Sequence, residues 1–162
     1  MEYNFHTMGA TEGHNFMRTL GENVYEPCDS LPTEYQPSCY YEQVQWWQGT
    51  TNSDWQKISS WCEALSDNQA NFNACYQSLG HYASAANNFN TDSVIQICDT
   101  MPTNETVALC SEGASWLIIA EPGKIPDAYS LCNRLDSPYK DCLLYTSPSP
   151  RDRTRSRMPS SA

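Results

Sequence analysis

Eight cysteines carry most of the chemical potential of this chain, and they fall into four pairs: Cys28 with Cys39, Cys62 with Cys75, Cys98 with Cys110, and Cys132 with Cys142. Thiols so placed can bridge, ligate a metal or supply a nucleophile. Zinc needs four converging thiolates or imidazoles at about 2.0 to 2.3 Å, often with two on a tight knuckle, and no pair here has knuckle spacing. A catalytic cysteine would be one exceptional thiol near a histidine. Cys75 has His81 six residues away, yet its periodic placement points to a structural role. Bridging is therefore the reading to test, with burial as reduced core residues the alternative.

Of the three histidines, His14 and His81 each follow a glycine. Glycine inside a helix costs about 1 kcal/mol against alanine, so it serves either close packing or access. Gly9, Ala10 and Gly13 form a small-residue stripe for which close packing is the plainer purpose. The functional purpose is a shallow groove with His14 or His81 at its wall. His6 and His14 lie roughly 12 Å apart along one helix and roughly 80° around it, so they cannot share an ion within it. "GASWL" at 113–117 has a Gly and a Ser at elbow spacing but no closing glycine and no preceding strand, and reads as helix. The carboxylates are scattered over helix starts and solvated faces, and no glycine-rich phosphate loop occurs. Trp46 and Trp47 belong to an aromatic run with Tyr40, Tyr41, Trp55 and Trp61. The two cannot both face inward on one helix, so one is expected to mark an exposed contact site. His14, His81, Trp46 and Trp47 are thus the candidate binding residues. No catalytic residue can be named, and nothing in the pattern calls for a metal or a cofactor.

The elements that must hold these residues come from a repeat. First cysteines are separated by 34, 36 and 34 residues, gaps within pairs are 11, 13, 12 and 10, and the words "CDSL", "CEAL", "CDTM" and "CNRL" recur. A period near 35 is the size of a helix-turn-helix unit in a stacked array. Trp55, Ile58, Cys62 and Leu65 follow helical spacing, as do Phe72, Cys75 or Tyr76, Leu79, Ala83 and Ala86; Val94, Cys98 and Met101; and Ala128, Leu131 or Cys132, and Leu135. Asp54, Asp92 and Asp127 stand near the starts of helices, where exposed amides favour them. Pro32, Pro102 and Pro138 fall just past helix ends, and Pro27 must shorten or kink the helix that reaches Cys28. Paired cysteines then lie about equally far from a turn between antiparallel helices, within the roughly 7 Å between Cα atoms that a bridge allows. The expected bridges are Cys28–Cys39, Cys62–Cys75 and Cys98–Cys110. Cys132 with Cys142 stays open.

Composition narrows the partners. A formal charge of −10 and few lysines argue against nucleic acid and anionic membrane surfaces. The longest useful apolar stretch, "WLIIA" at 116–120, is far short of the roughly 20 residues of a membrane span. From Cys142 the chain turns to Ser, Pro and Arg, and "CLLYTSPSPRD" with "SRMPSSA" resembles translated sequencing-adapter read-through. Residues 142–162 are therefore expected to be a non-native, unstructured tail, and residues 1–141 a helical repeat domain truncated at both ends. Without the tail's four Arg and one Asp the net charge falls from −10 to −13. Disulfides imply an oxidising, extracytoplasmic or secreted address. "MEYNFH" is no secretory leader, so the natural start is expected upstream, with the first helix, roughly 2–20, half of an earlier unit.

The unit from Cys75 to Cys110, with Leu79, Gly80, Tyr82, Asp92 and Cys98, resembles a cysteine-rich Sel1-like repeat, a relative of tetratricopeptide repeats. That resemblance implies a binding or adaptor protein, exported, with one disulfide per repeat. The fold expected is all-α: a right-handed αα-hairpin solenoid of about four units of 34–36 residues. The function expected is an exported binding or scaffold module for a protein or peptide partner, without intrinsic catalysis. The alternatives are a histidine-dependent hydrolase, metal-assisted or not, using His14 and His81 from different units, and an inactive fragment of a longer array.

Overall fold

The computed structural model describes residues 23–136 and residue 139. His6, His14, Gly9, Gly13, Pro138, Cys142 and the segment 142–162 lie outside them. Within the described residues long and short helices alternate. After a 3-10 turn at Cys28–Ser30 come α1 (Gln36–Thr51), α2 (Trp55–Glu63), α3 (Gln69–Ala86), α4 (Thr91–Cys98), α5 (Asn104–Ile118) and α6 (Ile125–Asn133). The described residues contain no strand. No described helix is long and apolar enough to cross a membrane.

Local chemistry sets the ends of these helices. The Asp54 carboxylate accepts from the Lys57 amide at 3.1 Å and caps α2. Asn68 and Asn90 do the same for α3 and α4. Asp92 lies inside the first turn of α4, where it meets the dipole rather than capping it. Thr103 and Thr106 form a reciprocal box at the start of α5. Pro27 stands just before Cys28, and the element that carries Cys28 is a single 3-10 turn, Cys28–Ser30. α1 and α3 stop in the same way. Asn52 and Ser53 after α1, and Asn88 and Phe89 after α3, all adopt positive φ between 51° and 62°. The second of each pair donates back across the turn, Ser53 to Gln48 O at 2.8 Å and Phe89 to Ser84 O at 2.9 Å. A phenylalanine in the left-handed region is uncommon. It is held here because Phe89 packs against the core.

Three disulfides tie each short element to the long helix that follows it. Cys28–Cys39, Cys62–Cys75 and Cys98–Cys110 have Cα separations of 5.5, 5.5 and 5.6 Å, as the spacing predicts. Closing loops of this size stabilises by about 3 kcal/mol each in the chain-entropy account. Cys132 is also disulfide-bonded; Cys142, the partner its spacing leaves open, is outside the described residues. Three bridges fit an oxidising, extracytoplasmic setting.

The long helices lie side by side and parallel. Asn71 donates to Gln36 Oε1 at 2.9 Å, Ser78 to Tyr41 O, Gln69 to Glu105 Oε1 at 3.2 Å and Gln77 to Glu112 Oε2 at 3.0 Å. Partner numbers rise together along both helices, which only parallel neighbours allow, and most partners are 35 or 36 residues apart. In the short layer Arg134 repeats this offset, bonding to Asp99 and donating to Ser111 Oγ at 3.0 Å. Two glycines permit the closest approach. A Cβ on Gly80 would fall 1.8 Å from Cys110 O, and one on Gly113 would fall 1.7 Å from Gln77 O. Gly80 therefore serves packing against α5. "GASWL" is helical, within α5.

The aromatic run corrects one expectation: neither Trp46 nor Trp47 is an exposed contact, their exposures being 4% and 0%. The reason is the number of neighbours. α1 is packed against α2, α3 and the segment around Cys28 at once, so directions that would be inside and outside on a surface helix are both covered. Trp47 Nε1 donates to Val24 O at 3.0 Å, and its ring meets Tyr25 and Trp61 with centroids at 6.0 and 5.1 Å.

Candidate functional site

One sequence-derived candidate in the described residues, His81, sits where α1 and α3 meet. Pro37 in the first turn starts α1 with its φ already helical. The Cys28–Cys39 bridge then anchors that turn, and Tyr41 and Gln45 come to face α3. Across from them, Ser78 is small enough to bring its own turn close, and its hydroxyl donates to the Tyr41 carbonyl. One turn further along α3, His81 and Tyr82 close the cluster. Tyr41 Oη lies 3.1 Å from His81 Nδ1. The His81 ring stands edge-on to Tyr41 and Tyr82, with centroids at 5.8 and 5.1 Å. Tyr82 Oη approaches Glu42 Oε2 at 3.4 Å and Gln45 Oε1 at 3.5 Å, the outer limit of a hydrogen bond.

Burial decides the charge states. It pushes the His81 imidazolium below its usual range, against the opposing pull of the Glu42 carboxylate. It pushes the Tyr41 phenol up to about 12, with Glu42 adding to the rise. Both partners are therefore neutral near pH 7. In the neutral ring the nitrogen that carries the proton sets which partner donates in the Tyr41–His81 bond. Tyr82 is raised for the same reasons.

Beside this cluster a shallow groove of about 230 Å³ opens to solvent, lined by Pro37, Ser38, Tyr41, Glu42 and Ala74. His81 does not line it but backs Tyr41. The volume lies below the roughly 300 to 1,000 Å³ of small-molecule pockets, and it suits a single side chain. Nucleophilic chemistry has little to work with here: the Ser78 hydroxyl is engaged by Tyr41 O, and Cys75 is bonded to Cys62. Among the described residues no three of His, Cys, Asp and Glu gather where they could hold a metal ion. His14 lies outside the described residues, and so does any pairing of it with His81. The groove presents an aromatic side chain, Tyr41, with the Glu42 carboxylate beside it.

Tyr82 is the chain neighbour of His81, whereas Tyr41, Glu42 and Gln45 escape a reading of His81 within its own helix. The signal that finds them is the repeat itself, since a residue one period back in the chain is a neighbour in space. Trp46 and Trp47 take no part in the groove, being core. No family model matches this chain, and neither does any curated protein or solved structure.

Proposed function

We propose that this chain is an exported helical-repeat binding module, a right-handed αα-hairpin solenoid of about four Sel1-like units. Its α1/α3 groove receives a basic side chain of a peptide or protein partner. The observation that carries the reading is the pairing of Tyr41 and Glu42 on a groove the size of one side chain. An aromatic face and a carboxylate together attract a lysine or arginine through cation–π and ionic contacts. The three cations of the described residues are engaged elsewhere: Lys57 lies over the Trp61 ring, Lys124 pairs with Asp127 and Arg134 pairs with Asp99. A net charge of −10 favours basic partners generally. The disulfides supply the rigidity that lets a shallow site keep its shape.

Selection of a displayed random peptide library on the full oxidised chain tests this. The expected result is bound peptides rich in Arg and Lys whose amide-exchange footprint covers α1 and α3, with binding lost on Glu42→Gln and weakened by salt. Peptides that bind while leaving α1 and α3 unprotected would sink the proposal.

A further inference from the structure

The link between α4 and α5 carries a signal independent of the groove. Asn104-Glu105-Thr106 has the acceptor pattern for N-glycosylation, and no other asparagine of the chain has Ser or Thr two positions on. Asn104 is exposed, as are Pro102, Thr103 and Glu105 before and after it. Thr106 is the opposite, with no exposure at all. Its hydroxyl accepts from the Thr103 amide and donates to Thr103 O, both at 3.0 Å, while its own amide donates to Thr103 Oγ1 at 3.2 Å. The Cys98–Cys110 bridge brackets the whole segment.

We propose that Asn104 is an N-glycan acceptor that must be modified before α5 is capped and Cys98–Cys110 closes. In the transfer, Asn104 Nδ2 attacks C1 of a polyprenyl-diphosphate-linked oligosaccharide. The N–C1 bond forms, the C1–O bond breaks with its electron pair leaving on the diphosphate, and the amide gives up one proton. The transferase reads the Asn amide and the Thr hydroxyl together, and the folded chain offers only the first. The capping box consumes the hydroxyl, and a helical first turn cannot present both groups as an extended segment does. Once attached, the glycan has open solvent to occupy. It stands at the start of α5, with α3 between it and α1. The compartment required is the one in which the disulfides form.

The full chain, directed into the secretory pathway of a eukaryotic cell, tests both halves. Intact mass before and after peptide-N-glycosidase should reveal one glycan, absent from Asn104→Gln, with aspartate at position 104 after release. A secreted, fully bridged chain without a glycan at Asn104 would overturn the site. The order of events is tested in the Thr106→Ser background, which keeps the acceptor pattern at lower efficiency. There, Cys98→Ser with Cys110→Ser should raise occupancy, and a short reductant pulse during synthesis should do the same with every cysteine in place. Occupancy unchanged by both would overturn the order.

Discussion

Against α5, α3 packs backbone to backbone; against α1 it packs through side chains. Counted from the cysteine of each long helix, Gly113 and Ser78 occupy the same position, and so do the residues they meet, Gln77 and Tyr41. At the first junction the bare Cα of Gly113 lies on the Gln77 carbonyl, and the Gln77 side chain reaches across to Glu112 at 3.0 Å. At the second, a serine hydroxyl bridges to the carbonyl, and Tyr41, His81 and Tyr82 fill the space with rings. The glutamine side chain lies alongside the glycine contact. Rings propped on one another leave the groove at Pro37, Ser38, Tyr41, Glu42 and Ala74. The candidate site is therefore a place where the repeat departs from itself.

The largest effect that would break this comparison is expected from Gly113→Ala. In an ordinary helix interior the change gains about 1 kcal/mol. Here the new Cβ would sit against backbone, which cannot rotate away, so a loss of about 3 kcal/mol is expected. Denaturant unfolding of the bridged protein measures it, and a stabilised variant would show that the two backbones do not touch. Ser78→Ala should cost less, about 1 kcal/mol, because the Tyr41 carbonyl loses a second donor while keeping its place in α1. A cost as large as that of Gly113→Ala would mean that the two junctions are not different in kind.

The subtlest contrast is in pH. Burial lowers the His81 pKa below its unfolded value of about 6.5, so the unfolded chain binds the proton more readily. This junction therefore loses stability as pH falls through 6.5. Glu112, in the other junction, is raised by burial despite the Gln77 hydrogen bond. Its folded form holds a proton more readily, so that junction gains relative stability as pH falls through the raised value toward 4.5. His81→Gln should flatten the decline of stability below pH 6.5, and Glu112→Gln should steepen it at lower pH. Unfolding curves across pH 4 to 8 that changed in the same direction for both variants would contradict the opposite signs.

Much of the frame was legible before any coordinate. Cysteine spacing identified three bridges, because antiparallel helices meeting at a turn place equidistant residues face to face. Asp54 and Pro102 marked a helix start and a helix exit, because capping and the missing proline amide are local effects. The groove was harder. His81 is a candidate, but Tyr41, which bonds it, and Glu42, whose charge acts on it, are some 40 residues away. Only the offset between stacked helices brings them together. Trp46 and Trp47 were misjudged because periodicity reports which faces of a helix are apolar and not how many neighbours cover it.

What the amino-acid order determined alone was local or repetitive: helix against strand, the caps, the exits, and the pairs of thiols a short chain segment can close. Those depend on interactions within a few residues or on one spacing used again and again. Tertiary structure decided which glycine contact becomes a seam and which ring cluster leaves a groove. It also decided that both tryptophans are covered and that Thr106 is hidden while Asn104 is not. Each is settled by the distance between helix axes, and that distance is set by side chains a full repeat apart acting together.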